Sequence, residues 1–307
     1  MSQDPIQFTK QRPVDQGVPP DLSHYASPEK MKSLLEEQNK QPVKPLIKEY
    51  TGPKETIQLP SKGVFYSPES PLSSGVVDIK YMTAKEEDIL MSQQLIKNGT
   101  MMDVLLRAVI VTPGVVYDDL LLGDKTAIFL HARRLAYGDV YECSQECPKC
   151  GQSSKTQLVI SELQAKEFGE ANHVAGTNSF EFTLPASKKV ITFKLLTVGD
   201  ERKIDQELKA LEKVFGAKAG KASPELTTRF KYMITAIDGK EQKSTINTFV
   251  DNEMLAKDSI AFRSYLKEVS PDYKFTYQFE CSSCGHSTEL PYNLGADFIL
   301  PDASASM

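Results

Sequence analysis

Two short runs of cysteine carry the plainest chemistry in this sequence: Cys147-Pro148-Lys149-Cys150-Gly151 in the middle, and Cys281-Ser282-Ser283-Cys284-Gly285-His286 later in the chain. Two thiolates separated by two residues can grip one metal ion from a tight turn, and a glycine after the second cysteine permits the backbone angles that such a turn needs. Each run supplies half of a tetrahedral site. One ion completes its coordination when both runs meet, which predicts a structural zinc held by Cys147, Cys150, Cys281 and Cys284 across about 130 residues of intervening chain. Such a site closes a large loop and fixes the later part of the fold against its middle.

Other uses of paired cysteines fit less well. A redox dithiol belongs between a buried strand and a helix, and neither run has that setting. Disulfides need an oxidising compartment, and the first residues show no basic stretch followed by an apolar run, so export is not expected. A catalytic zinc keeps one position open and favours histidine or carboxylate ligands. Cys143, four residues before Cys147, is read as a spare thiol outside the ligand set, and His286 as a solvated side chain. His24, His131 and His173 are scattered, His131 among apolar neighbours as a core residue and His173 in a loop-like stretch. No Gly-rich phosphate loop, G-x-S-x-G elbow or H-E-x-x-H run occurs, so no catalytic residue is assigned and no enzyme is expected.

The elements that must position these cysteines follow from composition and periodicity. The 307 residues, 40% hydrophobic and 25% charged, are ordinary for globular protein, and the net charge of -5 disfavours sequence-independent binding to nucleic acid. No apolar window is long enough for a membrane span. The expected fold class is α+β: a helical body with short β-hairpins and a split zinc ribbon whose two C-x-x-C knuckles bracket a long insertion. The chain divides by pattern into a proline-rich, extended or disordered arm (1–54), an α+β body with helices (55–142), a first zinc knuckle with its ribbon strand (143–160), an inserted hairpin plus helices (161–272), a second zinc knuckle with a C-terminal anchor (273–302) and a tail (303–307).

Within the arm, Ser27 and Pro28 can open one short helix through Leu35. In the body, strands flank the Pro60-Ser61-Lys62-Gly63 turn, and Thr83 with Glu86 forms a capping box for a helix that runs to Asn98-Gly99. Thr100 and Asp124 are expected to cap two more helices, the second carrying Arg133 and Arg134 on a solvated or carboxylate-paired face. Lys155 to Ile160 reads as the ribbon's returning strand. In the insertion, Phe180–Leu184 and Val190–Leu195 form a hairpin, followed by an amphipathic helix with Ile204, Leu208, Leu211 and Phe215 inward. A linker from Gly216 to Ser223 leads to a helix from Pro224 through Ile237, then a helical region from about 249 to 269 and a strand, Phe275–Phe279, that delivers Cys281. Asp297-Phe298-Ile299-Leu300-Pro301 offers an apolar anchor.

With these elements in order, the chain resembles the baseplate proteins of T4-like contractile-tailed phages, a family usually described as baseplate hub subunits. The residues that carry the resemblance are Leu59-Pro60-Ser61-Lys62-Gly63 with Tyr66, Lys85-Glu86-Glu87-Asp88-Ile89-Leu90, Leu120-Leu121-Leu122-Gly123-Asp124 and Arg134-Leu135-Ala136-Tyr137-Gly138, running into the first cysteine pair. Leu196-Thr197-Val198-Gly199-Asp200-Glu201 and the second cysteine pair extend it over residues 55 to 302. The resemblance implies a structural component of a contractile tail baseplate, a hub or hub-wedge connector. It implies hub and wedge proteins as partners, with tail tube or spike proteins beyond them, assembly in the host bacterial cytoplasm and residence in the virion. Two other classes stay open: an assembly chaperone that leaves before the virion matures, and a zinc-ribbon nucleic-acid binder built on Lys149, Lys155, Arg133 and Arg134.

Overall fold

Strand β1 (Lys54–Gln58) pairs antiparallel with β2 (Val76–Lys80), Ile57 opposite Val77, and this hairpin backs onto the helices that follow. A computed structural model describes residues 50–168, 174, 176–215, 223–292 and 298, all within one compact unit. The arm with its short helix, His24, His173, residues 216–222 and the tail from 299 onward lie outside the described residues, as do the side chains of Cys143 and Phe215.

The Thr83–Glu86 capping box opens α1 (Ala84–Met91): the Glu86 carboxylate accepts from Thr83 N at 3.0 Å and from Lys80 Nζ at 2.8 Å. The single helix expected through Asn98 is in fact two. Ser92, extended at ψ 102°, ends α1 with its N–H on Ile89 O and opens α2 (Gln93–Asn98) by accepting from Ile96 N. Both are main-chain bonds that follow from the extended backbone at Ser92, which the apolar spacing does not register. Gly99 stops α2, and α3 (Met101–Val109) buries Leu105, Leu106 and Val109.

Helix α4 (Leu122–Tyr137) corrects a second expectation, because Leu121 and not Asp124 occupies its N-cap. Asp124 lies in the first turn, fully buried, and accepts from Ser61 N at 3.0 Å and from Tyr66 Oη at 2.5 Å, while Tyr66 Oη takes Leu121 N at 2.9 Å. Burial raises the pKa of both side chains. The carboxylate thus ties the 60–66 turn to the helix instead of capping it. Gly123 is there for a close approach: a Cβ on it would stand 1.8 Å from Pro271 O.

Strands β3 (Val140–Glu146) and β4 (Ser153–Val159) form the first cysteine hairpin. The inserted segment folds as β5 (Phe180–Thr183), β6 (Val190–Phe193), α5 (Val198–Phe215), α6 (Glu225–Met233) and β7 (Ile234–Ile237), the strands forming a three-stranded sheet in the order β5-β6-β7. The helix expected through Ile237 therefore ends at Met233. Ile234 and Ile237, three apart, have helical spacing, but pairing of Ile237 with Ile191 and Ile234 with Phe193 makes the segment a strand, and a register shift between Thr192 and Phe193 lets both be buried. The helical region expected from 249 to 269 is α7 (Lys243–Thr248) continuing into a π-helical turn, Phe249–Glu253, and then α8 (Ala256–Val269). Asp258 in the first turn of α8 is desolvated, yet its carboxyl is held low by Ala186 N at 2.6 Å and Ser187 N at 3.0 Å. Strands β8 (Thr276–Glu280) and β9 (Ser287–Pro291) make the second cysteine hairpin.

The fold is α+β, helices with small antiparallel sheets. Its main core packs Phe180 on Phe193 at 5.2 Å, Phe193 on Phe262 at 5.0 Å and Phe262 on Phe230 at 5.3 Å, joining the sheet to α6 and α8. A smaller cluster of Leu130, Tyr141, Leu158, Ile160 and Phe298 joins α4 to the first cysteine hairpin.

Candidate metal centre

Each cysteine pair occupies the tip of a hairpin, and the two tips have the same backbone wiring. Cys147 N donates to Gln152 O at 3.0 Å and Gly151 N to Cys147 O at 2.9 Å; Cys281 N donates to His286 O and Gly285 N to Cys281 O, both at 2.9 Å. Gly151 (φ 70°) and Gly285 (φ 65°) take the left-handed angles that let the chain close this turn. The effect is to aim two sulfurs from each tip at one point.

All four sulfurs, of Cys147, Cys150, Cys281 and Cys284, lie within 4.8 Å of one another. The tips interlock crosswise, with Cys147 Sγ 3.8 Å from Cys284 Sγ and Cys150 Sγ 3.7 Å from Cys281 Sγ. A metal–sulfur bond of about 2.3 Å in a tetrahedron demands an edge of about 3.8 Å, so the donor set has the dimension of a four-thiolate site. All four cysteines are free, Cys147 and Cys281 buried, Cys150 and Cys284 exposed. They could hold one metal ion with one pair shielded and one pair facing solvent.

Electrostatics favours the same reading. The N–H groups of Cys284 and Ser283 pull the Cys281 thiol down to about 6. Cys150, although the Gln152 N–H favours its thiolate, is pushed up to about 12 by desolvation and by the thiols of Cys284, Cys147 and Cys281. Four sulfurs this close ionise together only around a cation.

Support around the sulfurs comes from residues that spacing alone does not single out. Ser154 on β4 and Ser282 inside the second cysteine turn bring their hydroxyls to 3.5 Å from each other. Phe279, with Tyr277 and Leu290 against it, packs beside the buried Cys147 and Cys281. Arg133, expected on a solvated face, is instead 7% exposed: its guanidinium donates to the carbonyls of Gly138, Val140 and Phe298, and it lies 5.6 Å from the Tyr141 ring and 5.4 Å from that of Phe298. It fixes the root of the first hairpin to α4. Three backbone carbonyls on distant segments leave no sequence signal. Arg134 pairs with Glu55, as a carboxylate-paired arginine should.

His286 contributes its backbone carbonyl, and its ring is half-buried. His131 is half-buried between Arg134 Nη2 at 3.3 Å and Tyr273 Oη at 3.4 Å, and burial with the neighbouring guanidinium lowers its pKa. Phe298 of the expected apolar anchor is 1% exposed. No helix among the described residues is long and apolar enough to cross a membrane.

Compared with known sequences, residues 54–299 match the family described as T4 bacteriophage base plate protein. None of the curated proteins and none of the solved structures matches the chain.

Proposed function

Because this chain belongs to the T4 bacteriophage base plate protein family, and so is a structural component of a phage baseplate, we propose that it serves in a contractile tail as a hub subunit or hub-wedge connector clamped by a structural zinc. The family match carries the baseplate role, since it runs through both cysteine hairpins. The four-sulfur geometry supports the clamp, with Cys147, Cys150, Cys281 and Cys284 as ligands and the two hairpins as halves of a split ribbon.

Zinc would supply no reaction here, only a rigid link between sulfurs that are distant in sequence. The residues do the rest. The tip N–H groups hold the thiolates, Ser154 and Ser282 keep the tips abreast, and Arg133 anchors the first hairpin to the body. The product is a surface of fixed shape for hub and wedge neighbours, with tail tube or spike proteins as further candidates. In this reading the protein is assembled in the host cytoplasm, remains in the virion and catalyses nothing.

Quantitative mass spectrometry of purified particles tests it. A fixed number of copies per tail supports a resident subunit. Abundance in infected-cell extracts with absence from finished particles would instead establish an assembly factor.

A further inference from the structure

Backbone register shows which way each edge of the cysteine hairpins faces. Ile160 N donates to Asp139 O and Cys147 N to Gln152 O, and Val140 stands opposite Val159. The odd residues of β3 therefore bond to β4, and the even ones turn their N–H and C=O outward. Arg133 Nη2 takes Val140 O at 3.3 Å, and the Gln145 amide reaches Glu146 O at 3.4 Å. Among the described residues, the outward N–H and C=O of Glu142 and Ser144 and the N–H of Glu146 have no partner.

No other edge of the two hairpins turns two acidic residues outward. β9 turns Ser287, Glu289 and, at its end, Pro291 outward, one carboxylate in all, and Pro291 has no N–H. β4 and β8 border a shared cavity of about 290 Å³ through Gln157, Val159 and Thr276. On β3, Glu142, Ser144 and Glu146 also expose their side chains on one face, opposite buried Tyr141 and Cys147. Two carboxylates four residues apart thus flank a row of open main-chain groups.

We propose that the outer edge of β3 accepts an extended strand from a neighbouring protein, one carrying lysine or arginine at two positions four residues apart. Main-chain bonds to Glu142, Ser144 and Glu146 set the register, and the cations pair across the strands with Glu142 and Glu146. Edge charges alone deter indiscriminate pairing; a like-charged pair here also makes the edge select the sign of its partner. The interaction needs only the folded chain, so its test stands apart from the proposed place in the tail.

The test is an amide-shift titration of isotope-labelled full-length protein with a synthetic peptide that has lysine at its second and sixth positions and valine and threonine elsewhere. Saturable shifts are expected at Glu142, Ser144 and Glu146, with β9 unmoved. Ser144→Pro removes one outward N–H without touching the β3–β4 ladder and should abolish the shifts. The double change Glu142→Lys, Glu146→Lys should weaken binding about tenfold, and a peptide with glutamate in place of lysine should regain it. Unchanged melting and metal content verify the fold of each variant; if Ser144→Pro fails to fold, the charge exchange alone decides. Shifts that are absent, that fall elsewhere or that ignore the charge exchange overturn the proposal.

Discussion

The sheet of β5, β6 and β7 and the pair of cysteine hairpins are both small antiparallel arrangements, but they are surrounded very differently. Around the first, Phe180, Phe193, Phe230 and Phe262 interlock in the main core with α6 and α8. Around the sulfurs, the buried cluster is Cys147, Phe279 and Cys281, with Tyr277 and Leu290 half-buried beside them. The roots of the hairpins share the second core of Tyr141, Leu158, Ile160 and Phe298, but tips with so little apolar cover gain little from burial. The body is thus organised by burial, whereas the hairpin tips would take their support from an ion held by the four sulfurs.

The largest expected effect comes from removing that support. Cys281→Ser, or a strong chelator, should release the ion and lower amide protection at the tips of the two cysteine hairpins by about tenfold or more, while β5 to β7 keep theirs. Hydrogen exchange followed by segment checks this, and uniform loss across both regions would erase the distinction. Next, Phe193→Ala should cost about 3–5 kcal/mol in denaturant unfolding yet leave the metal content unchanged. A parallel loss of metal would show that the two regions are one cooperative unit.

Arg133→Met probes the joint between them. It strips donors from the carbonyls of Gly138, Val140 and Phe298, and the expected cost is about 1–3 kcal/mol, with protection lost first at the root of β3. The smallest effect lies in the body's capping box. Burial opposes ionisation of Glu86, yet Lys80 and Thr83 draw it down to about 2 from its ordinary 4.5. Its contribution is therefore complete above pH 4.5 and is lost as the pH falls from there through 2. Glu86→Gln should lower the melting temperature at neutral pH and flatten it across that acid range.

What the sequence made legible divides along similar lines. Both cysteine turns and the Thr83–Glu86 box are written in a few adjacent residues, so spacing alone exposes them. The meeting of the two turns followed from valence, because one pair leaves an ion half coordinated. Ile234 and Ile237 stand three apart, a helical spacing, and only pairing with β6, with a register shift between Thr192 and Phe193, makes the segment a strand. Asp124 has the residue type of a cap, but its partners, Ser61 and Tyr66, lie about sixty residues earlier. The partners of Arg133 are carbonyls, which have no letter in a sequence.

The central claim is that four cysteine sulfurs hold one ion, and intact-mass measurement of the purified full-length chain under native conditions tests it most directly. One zinc per chain is predicted, falling to none in Cys147→Ser and in Cys281→Ser alike. A wild-type chain that folds without metal, or two variants that retain it, would contradict the account.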